Sequence, residues 1–172
     1  HENSSAASDV YKRQHMLFIF DLDGTTIDSS HRQNTLADGT LNLADWIDNN
    51  TPEKIACDSL LPLADSWRTI DQSRHDVVIM TARVIGDADL AFLVRSNLRY
   101  RFIYSRPIGS TIADGILKQS MIRQCARDLG RSLAWMRYNA FMFDDSKNVR
   151  NALQSMGIRV YNPIQYNSAR SV

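Results

Sequence analysis

Short apolar runs recur along the chain at residues 16–20, 77–80, 101–104, 140–143 and 158–161, most of them ended by an acidic or hydroxyl residue. Runs of this length bounded by turn residues predict β-strands. Between them lie longer stretches with helical spacing, at 60–73, 87–97, 113–129 and 147–155, with Gly157 as a stop signal after the last. The alternation predicts an α/β fold, a Rossmann-like parallel sheet flanked by helices. All strand carboxyl ends then lie along one edge of the sheet, where open parallel sheets bind ligands.

Acidic residues stand at two of those ends. Phe18-Ile19-Phe20 leads into Asp21-Leu22-Asp23-Gly24-Thr25, and Phe141-Met142-Phe143 leads into Asp144-Asp145. Side chains alternate along a strand and loops are freer, so Asp21 and Asp23 can project together into the crevice. Carboxylates gathered there repel one another unless a hard divalent cation holds them, which points to Mg²⁺. Each feature also has an ordinary reading. Asp-Gly is a common turn signal, and Asp144 and Asp145 suit a helix N-terminus capped by Ser146.

The order of these residues resembles the haloacid dehalogenase (HAD) superfamily of aspartate-nucleophile phosphatases. Its first motif matches Asp21-Leu22-Asp23-Gly24-Thr25-Thr26, its second Thr81 after Val77-Val78-Ile79-Met80, its third Lys118, and its fourth Asp144-Asp145. The resemblance implies that Asp21 attacks phosphorus and Asp23 is the general acid and base. It implies that Thr81 and Lys118 bind the phosphoryl oxygens, and that Asp21, Asp23, Asp144 and Asp145 surround Mg²⁺. Lys147 competes with Lys118 for the third role. The chemistry of each residue type agrees: a carboxylate can carry a phosphoryl group, a second carboxyl can shuttle the proton, and cations stabilise the transferring charge. Arg83, two residues beyond Thr81, offers a planar clamp for a phosphate or for substrate beyond it. Asp28, in the extension Asp-Gly-Thr-x-x-Asp, is assigned to orienting the loop.

Length and composition change little in this picture. At 172 residues, 44% hydrophobic and 23% charged, the chain can bury a sizeable core, and a formal charge of +1 neither demands nor excludes nucleic acid. Cys57 and Cys125 make a poor disulfide framework, and no apolar stretch reaches membrane-spanning length. These features point to a cytoplasmic enzyme with no obligate protein partner. Residues 1–15 are polar and read as a leader preceding a start at Met16, residues 16–162 as the HAD-like domain, and 163–172 as a loose tail.

Family members take specificity from a cap inserted after the first motif or between the second and third. Here both gaps are short, and 29–62 reads as turns and short helical pieces, a minimal cap over an open cleft. His31, Arg32 and Trp46 lie in it; Trp46 is expected to pack locally. The short cap and the Thr-x-Arg pattern are also similar to phage-encoded phosphatases and the phosphatase half of phage polynucleotide kinases, although no Walker A motif is present. The leading expectation is a Mg²⁺-dependent phosphatase for a nucleotide or a nucleic-acid terminal phosphate. A phosphatase for another small metabolite and a slow-turnover phosphate-binding module are the alternatives.

Overall fold

The computed structural model describes residues 14–171. Five parallel strands form one sheet in the order β5-β4-β1-β6-β7, from β1 (Leu17–Phe20), β4 (Asp76–Met80), β5 (Phe102–Tyr104), β6 (Ala140–Phe143) and β7 (Arg159–Tyr161). The apolar runs therefore became the strands, each within a residue or so of its expected bounds. β1 is central, with Phe20 opposite Ile79 on β4 and Phe143 on β6, so the residues after all three strands emerge side by side.

Side chains alternating along the strands divide the core into two layers. Leu17, Ile19, Val78, Met80 and Met142 pack with the helix Asp114–Asp128, whose Leu117, Met121, Ile122 and Cys125 are buried. Phe20, Val77 and Ile79 face the other way, where the Phe20 ring stacks on Trp67 at 4.8 Å. In chain order the helices are α1 (Leu43–Asp48), α2 (Pro52–Ala56), α3 (Leu63–Arg68), α4 (Asp87–Arg95), α5 (Asp114–Asp128), α6 (Leu133–Asn139), α7 (Lys147–Gln154) and α8 (Ile164–Arg170). Cys57 is exposed and Cys125 buried, both free thiols. Among the described residues no helix is long and apolar enough to cross a membrane.

Three expectations need amendment. The helix expected over 60–73 is only α3, because Ser59–Leu60 forms β3 and pairs antiparallel with β2 (Ile27–Asp28), while Asp71 turns the chain by accepting from the Ser73 backbone and hydroxyl. α6, capped by the Ser132 side chain, was not expected, since it runs into β6 with no loop to punctuate it. The tail is not loose: α8 packs against the body, with Asn167 buried. The leader reading falls mostly on residues 1–13, outside the described residues. His15 is described, and its Nε2 lies 2.7 Å from Asp76 Oδ2.

Candidate active site

β1, β4 and β6 deliver Asp21, Thr81 and Asp144 to one edge of the sheet, and α5 brings Lys118 in from one face. The Lys118 ammonium donates to Asp21 Oδ1 at 2.7 Å and to Asp144 Oδ2 at 2.5 Å, with all three residues buried. Lys147 is exposed at the start of α7, so of the two lysines only Lys118 reaches the carboxylates. Thr25, fully buried, turns its hydroxyl to Asp21 Oδ2 at 3.1 Å and Asp145 Oδ1 at 3.3 Å, and that hydroxyl accepts from the Asp145 backbone N–H. Asp144 Oδ1 accepts from Ser146 N, and Arg150 donates to the main-chain oxygens of Asp144 and Asp145. Gly24 (φ +76°) is required twice over: the backbone is left-handed there, and a Cβ would collide with the Asp145 carboxylate.

Oxygens of Asp21, Asp144 and Asp145 lie within 4.8 Å of one another. One ammonium, bonded to two buried carboxylates, stands beside a half-buried third, and the deficit is visible in their acidities. Burial pushes the Asp21 carboxyl up to about 7 against the opposing pull of Lys118, and the neighbouring Asp144 charge adds to the rise. Asp145 rises to about 6, through burial and then the charge of Asp21; Asp144 is raised too, again chiefly by burial. Lys118 is also buried, yet Asp21 and Asp144 more than offset that and hold it protonated. A cluster of hard oxygen donors short of positive charge fits a divalent cation such as Mg²⁺.

Asp23 belongs to a second cluster. Its carboxylate accepts from Arg83 Nε at 3.0 Å, from Arg83 Nη2, and from Ser29 Oγ at 2.6 Å. Burial would raise its pKa, but the Arg83 charge and hydrogen bonds outweigh burial and hold it below the usual carboxylate range. Asp23 was expected among the metal ligands; here its carboxylate pairs with Arg83 and lies outside the group formed by Asp21, Asp144 and Asp145. Arg83 was expected to clamp a phosphate or the substrate beyond it; here its guanidinium is engaged by protein side chains. Arg83 is buried with Nη1 on Asp89 Oδ1 at 2.5 Å and Nη2 also 3.4 Å from Asp58 Oδ2. Its fork is occupied by protein carboxylates. Thr81 is buried beside it and accepts from Arg83 N at 3.0 Å.

The short segment after the first motif is tied to this cluster. Arg32 makes a two-pronged bond to Asp58, with Nε at 2.8 Å and Nη2 at 2.9 Å, and His31 Nε2 lies 2.9 Å from the same carboxylate. Trp46 covers the Arg32 guanidinium at 4.3 Å, local packing as expected. Asp28 accepts from Ser30 N and Oγ and turns the loop. Asp58 and Asp89 carried no signal in the sequence. Asp89 sits three residues after Gly86 and accepts from its N–H, so it reads as an ordinary helix-end acid until Arg83 is seen against it.

Paired acids at strand ends, a buried lysine between them and a hydroxyl on Asp21 define the class, an HAD-type phosphohydrolase. The chain belongs to the bacteriophage T5 5′-deoxynucleotidase family, whose model matches residues 10–172, starting inside the segment read as a leader. It is accordingly a phosphoric monoester hydrolase. No curated protein matches it. Among solved structures, a HAD-superfamily hydrolase of subfamily IA from Geobacter sulfurreducens superposes with a TM-score of 0.61 at 14% identity, covering 87% of this chain and 89% of that one. A chain of the Pnkp1/Rnl/Hen1 complex gives 0.60 at 18% identity over 87% of this chain. Only 46% of that longer chain is spanned. A HAD family enzyme from Bacteroides thetaiotaomicron, in complex with magnesium and inorganic phosphate, gives 0.51 at 11% identity over 87% and 94% of the two chains. At these identities the likeness is one of fold.

Proposed function

We propose that the chain hydrolyses the phosphomonoester of a nucleotide through a phosphorylated Asp21. The observation that carries the reading is the Asp21 carboxylate, oriented by Lys118 on one oxygen and Thr25 on the other beside two further acids. An Asp21 oxygen forms a bond to phosphorus as the phosphorus–ester bond breaks, and the departing alkoxide takes its proton from Asp23. Asp23 then accepts a proton from water; the water oxygen bonds to phosphorus, the acyl phosphate bond breaks, and inorganic phosphate leaves with Asp21 restored. Lys118 and Thr81 bind the phosphoryl oxygens. Mg²⁺ bound by Asp21, Asp144 and Asp145 supplies charge neutralisation for the transferring group. Arg83 keeps Asp23 ionised in the substrate-free state, so as that contact loosens Asp23 must take up, from solvent or from the phosphomonoester monoanion, the proton it passes to the departing oxygen.

The family description favours a mononucleotide over a nucleic-acid end. Steady-state hydrolysis of 5′-deoxynucleotides, 5′-ribonucleotides, 3′-phosphorylated oligonucleotides, sugar phosphates and an aryl phosphate, each with Mg²⁺ and with EDTA, tests it. The expected result is the highest kcat/KM on a 5′-deoxynucleotide and loss of turnover in EDTA. Preference for an oligonucleotide end or a sugar phosphate would replace the substrate and keep the chemistry. No hydrolysis of any of them would leave a phosphate-binding module.

A further inference from the structure

Asn167, on the C-terminal helix α8, is 6% exposed, and both polar atoms of its side chain are bonded across the molecule. Its Nδ2 donates to the main-chain oxygen of Thr25 at 2.9 Å, and its Oδ1 accepts from Leu63 N at 2.9 Å. The second bond is a helix cap supplied from a distance. α3 begins after Pro62, which has no capping side chain, and Asn167 satisfies the first free N–H of that helix. The first bond reaches the catalytic loop. Thr25 follows Asp21 by four residues, and its hydroxyl is the contact on Asp21 Oδ2 and on the Asp145 backbone N–H. A displaced Thr25 carbonyl displaces that hydroxyl with it.

We propose that Asn167 is a positioning residue for the reaction, holding Thr25 so that Asp21 and Asp145 keep their geometry, and that α8 is thereby part of the working site. This rests on the phosphatase reading above. Two features distinguish Asn167 from a residue that merely docks the helix. Its amide is shared between the nucleophile loop and the segment leading out of the cap, where Leu61 N also donates to Thr26 O at 3.0 Å. Its neighbour Tyr166 does dock the helix, through a hydrogen bond to Ser66 and apolar packing, and among the described residues it makes no hydrogen bond to the loop. The two residues separate docking from positioning on one helix.

Asn167→Ala and Tyr166→Phe, read for kcat, KM and amide hydrogen exchange, form the test. Asn167→Ala is expected to lower kcat by at least about tenfold, since misplacement of a reacting group by an ångström can cost about 10²-fold. KM for an aryl phosphate should move by less than about twofold, because the phosphate-binding groups remain. The Thr25, Thr26 and Ile27 amides, all bonded to Leu22 O, should exchange faster in Asn167→Ala and at the wild-type rate in Tyr166→Phe. The double variant Thr25→Ala/Asn167→Ala should lose no more activity than Thr25→Ala alone, since one residue acts through the other. Unchanged kcat, equal loss in Tyr166→Phe, or additive losses in the double variant would each overturn the proposal. If Asn167→Ala does not fold, Asn167→Asp keeps the volume and the Leu63 cap while losing the donor to Thr25, and is held to the same outcomes. Should the wild-type chain hydrolyse no phosphomonoester, the phosphatase reading falls while the exchange rates still decide whether Asn167 holds the loop.

Discussion

Asp21 and Asp23 are two residues apart, equally acidic in isolation, and sit in opposite electrostatic surroundings. Around Asp21, one ammonium from Lys118 serves three carboxylates, and the aspartates are pushed toward holding protons or a cation. Around Asp23, the guanidiniums of Arg83 and Arg32 interleave with Asp23, Asp58 and Asp89, and Asp23 is pushed toward staying ionised. The difference shows what a choice of counter-ion does. A single lysine leaves the three carboxylates around Asp21 two positive charges short, whereas two forked arginines, which bond carboxylates two at a time, leave Asp23, Asp58 and Asp89 only one short. Two chemically identical side chains are thereby given opposite environments.

The comparison breaks most sharply at the nucleophile. Asp21→Asn keeps the shape, leaves Lys118 paired with Asp144 and removes the attacking charge. Turnover should fall by at least about 10³-fold with the fold intact, and no phosphate should remain on the acid-quenched protein. Asp23→Asn should cost about 10²- to 10⁴-fold, most with a poor leaving group and least with an aryl phosphate whose departing oxygen needs no proton. Equal losses on both substrates would remove Asp23 from the proton-transfer step.

How far this contrast was legible follows from what signals each side. The Asp21 cluster was visible because its members are strand-end residues in a fixed order, and an apolar run announces a strand end. The Asp23 cluster was only half visible. Arg83 was found by its distance from Thr81, but an open clamp was expected because Asp58 and Asp89 lie in a short cap segment and at a helix start, where acids are commonplace. Asn167 was invisible. Its partners are a backbone oxygen and a backbone N–H, which leave no mark on the identity of Thr25 or Leu63, and the polar composition of 163–172 hid a helix that packs through a few residues. The five strands of the parallel sheet were legible almost to the residue, while α3 was overdrawn because the β3 pairing claimed Leu60 at one end and the turn at Asp71 ended the helix early at the other.

Arg83 sharpens the second side of the comparison. Arg83→Ala leaves Asp23, Asp58 and Asp89 with unpaired buried charge, which costs about 3–5 kcal/mol of stability when one partner of a buried pair is removed. A bound nucleotide and an aryl phosphate should lose kcat/KM to the same extent, because the residue holds protein carboxylates. Urea unfolding with parallel kinetics on both substrates checks this. A selective rise in KM for the nucleotide, with stability unchanged, would restore Arg83 to the substrate.

The smallest expected effect is a pH dependence that should separate the clusters without touching catalysis. In the folded state burial pushes the pKa of Asp21 up to about 7 and that of Asp145 up to about 6, from the ordinary value near 3.8. Between those limits the folded chain holds more protons than the unfolded one. Their contribution to stability is therefore complete below about pH 4 and lost as pH rises through about 6 to 7. Asp23, shifted the other way, contributes above the ordinary value and loses that contribution as pH falls below it, so it lies outside this window. In EDTA the melting temperature should include a downward component of a few degrees between pH 5 and pH 7.5. Asp145→Asn should flatten that component, and excess Mg²⁺ should do the same in the wild type, because a cation bound only by the folded state takes the place of the proton. His75, whose pKa burial lowers from its ordinary value, is common to all three samples, so the slopes are compared by difference. Identical slopes in wild type and Asp145→Asn, or a Mg²⁺ effect that survives Asp144→Ala at full size, would mean that the cluster around Asp21 is not short of positive charge.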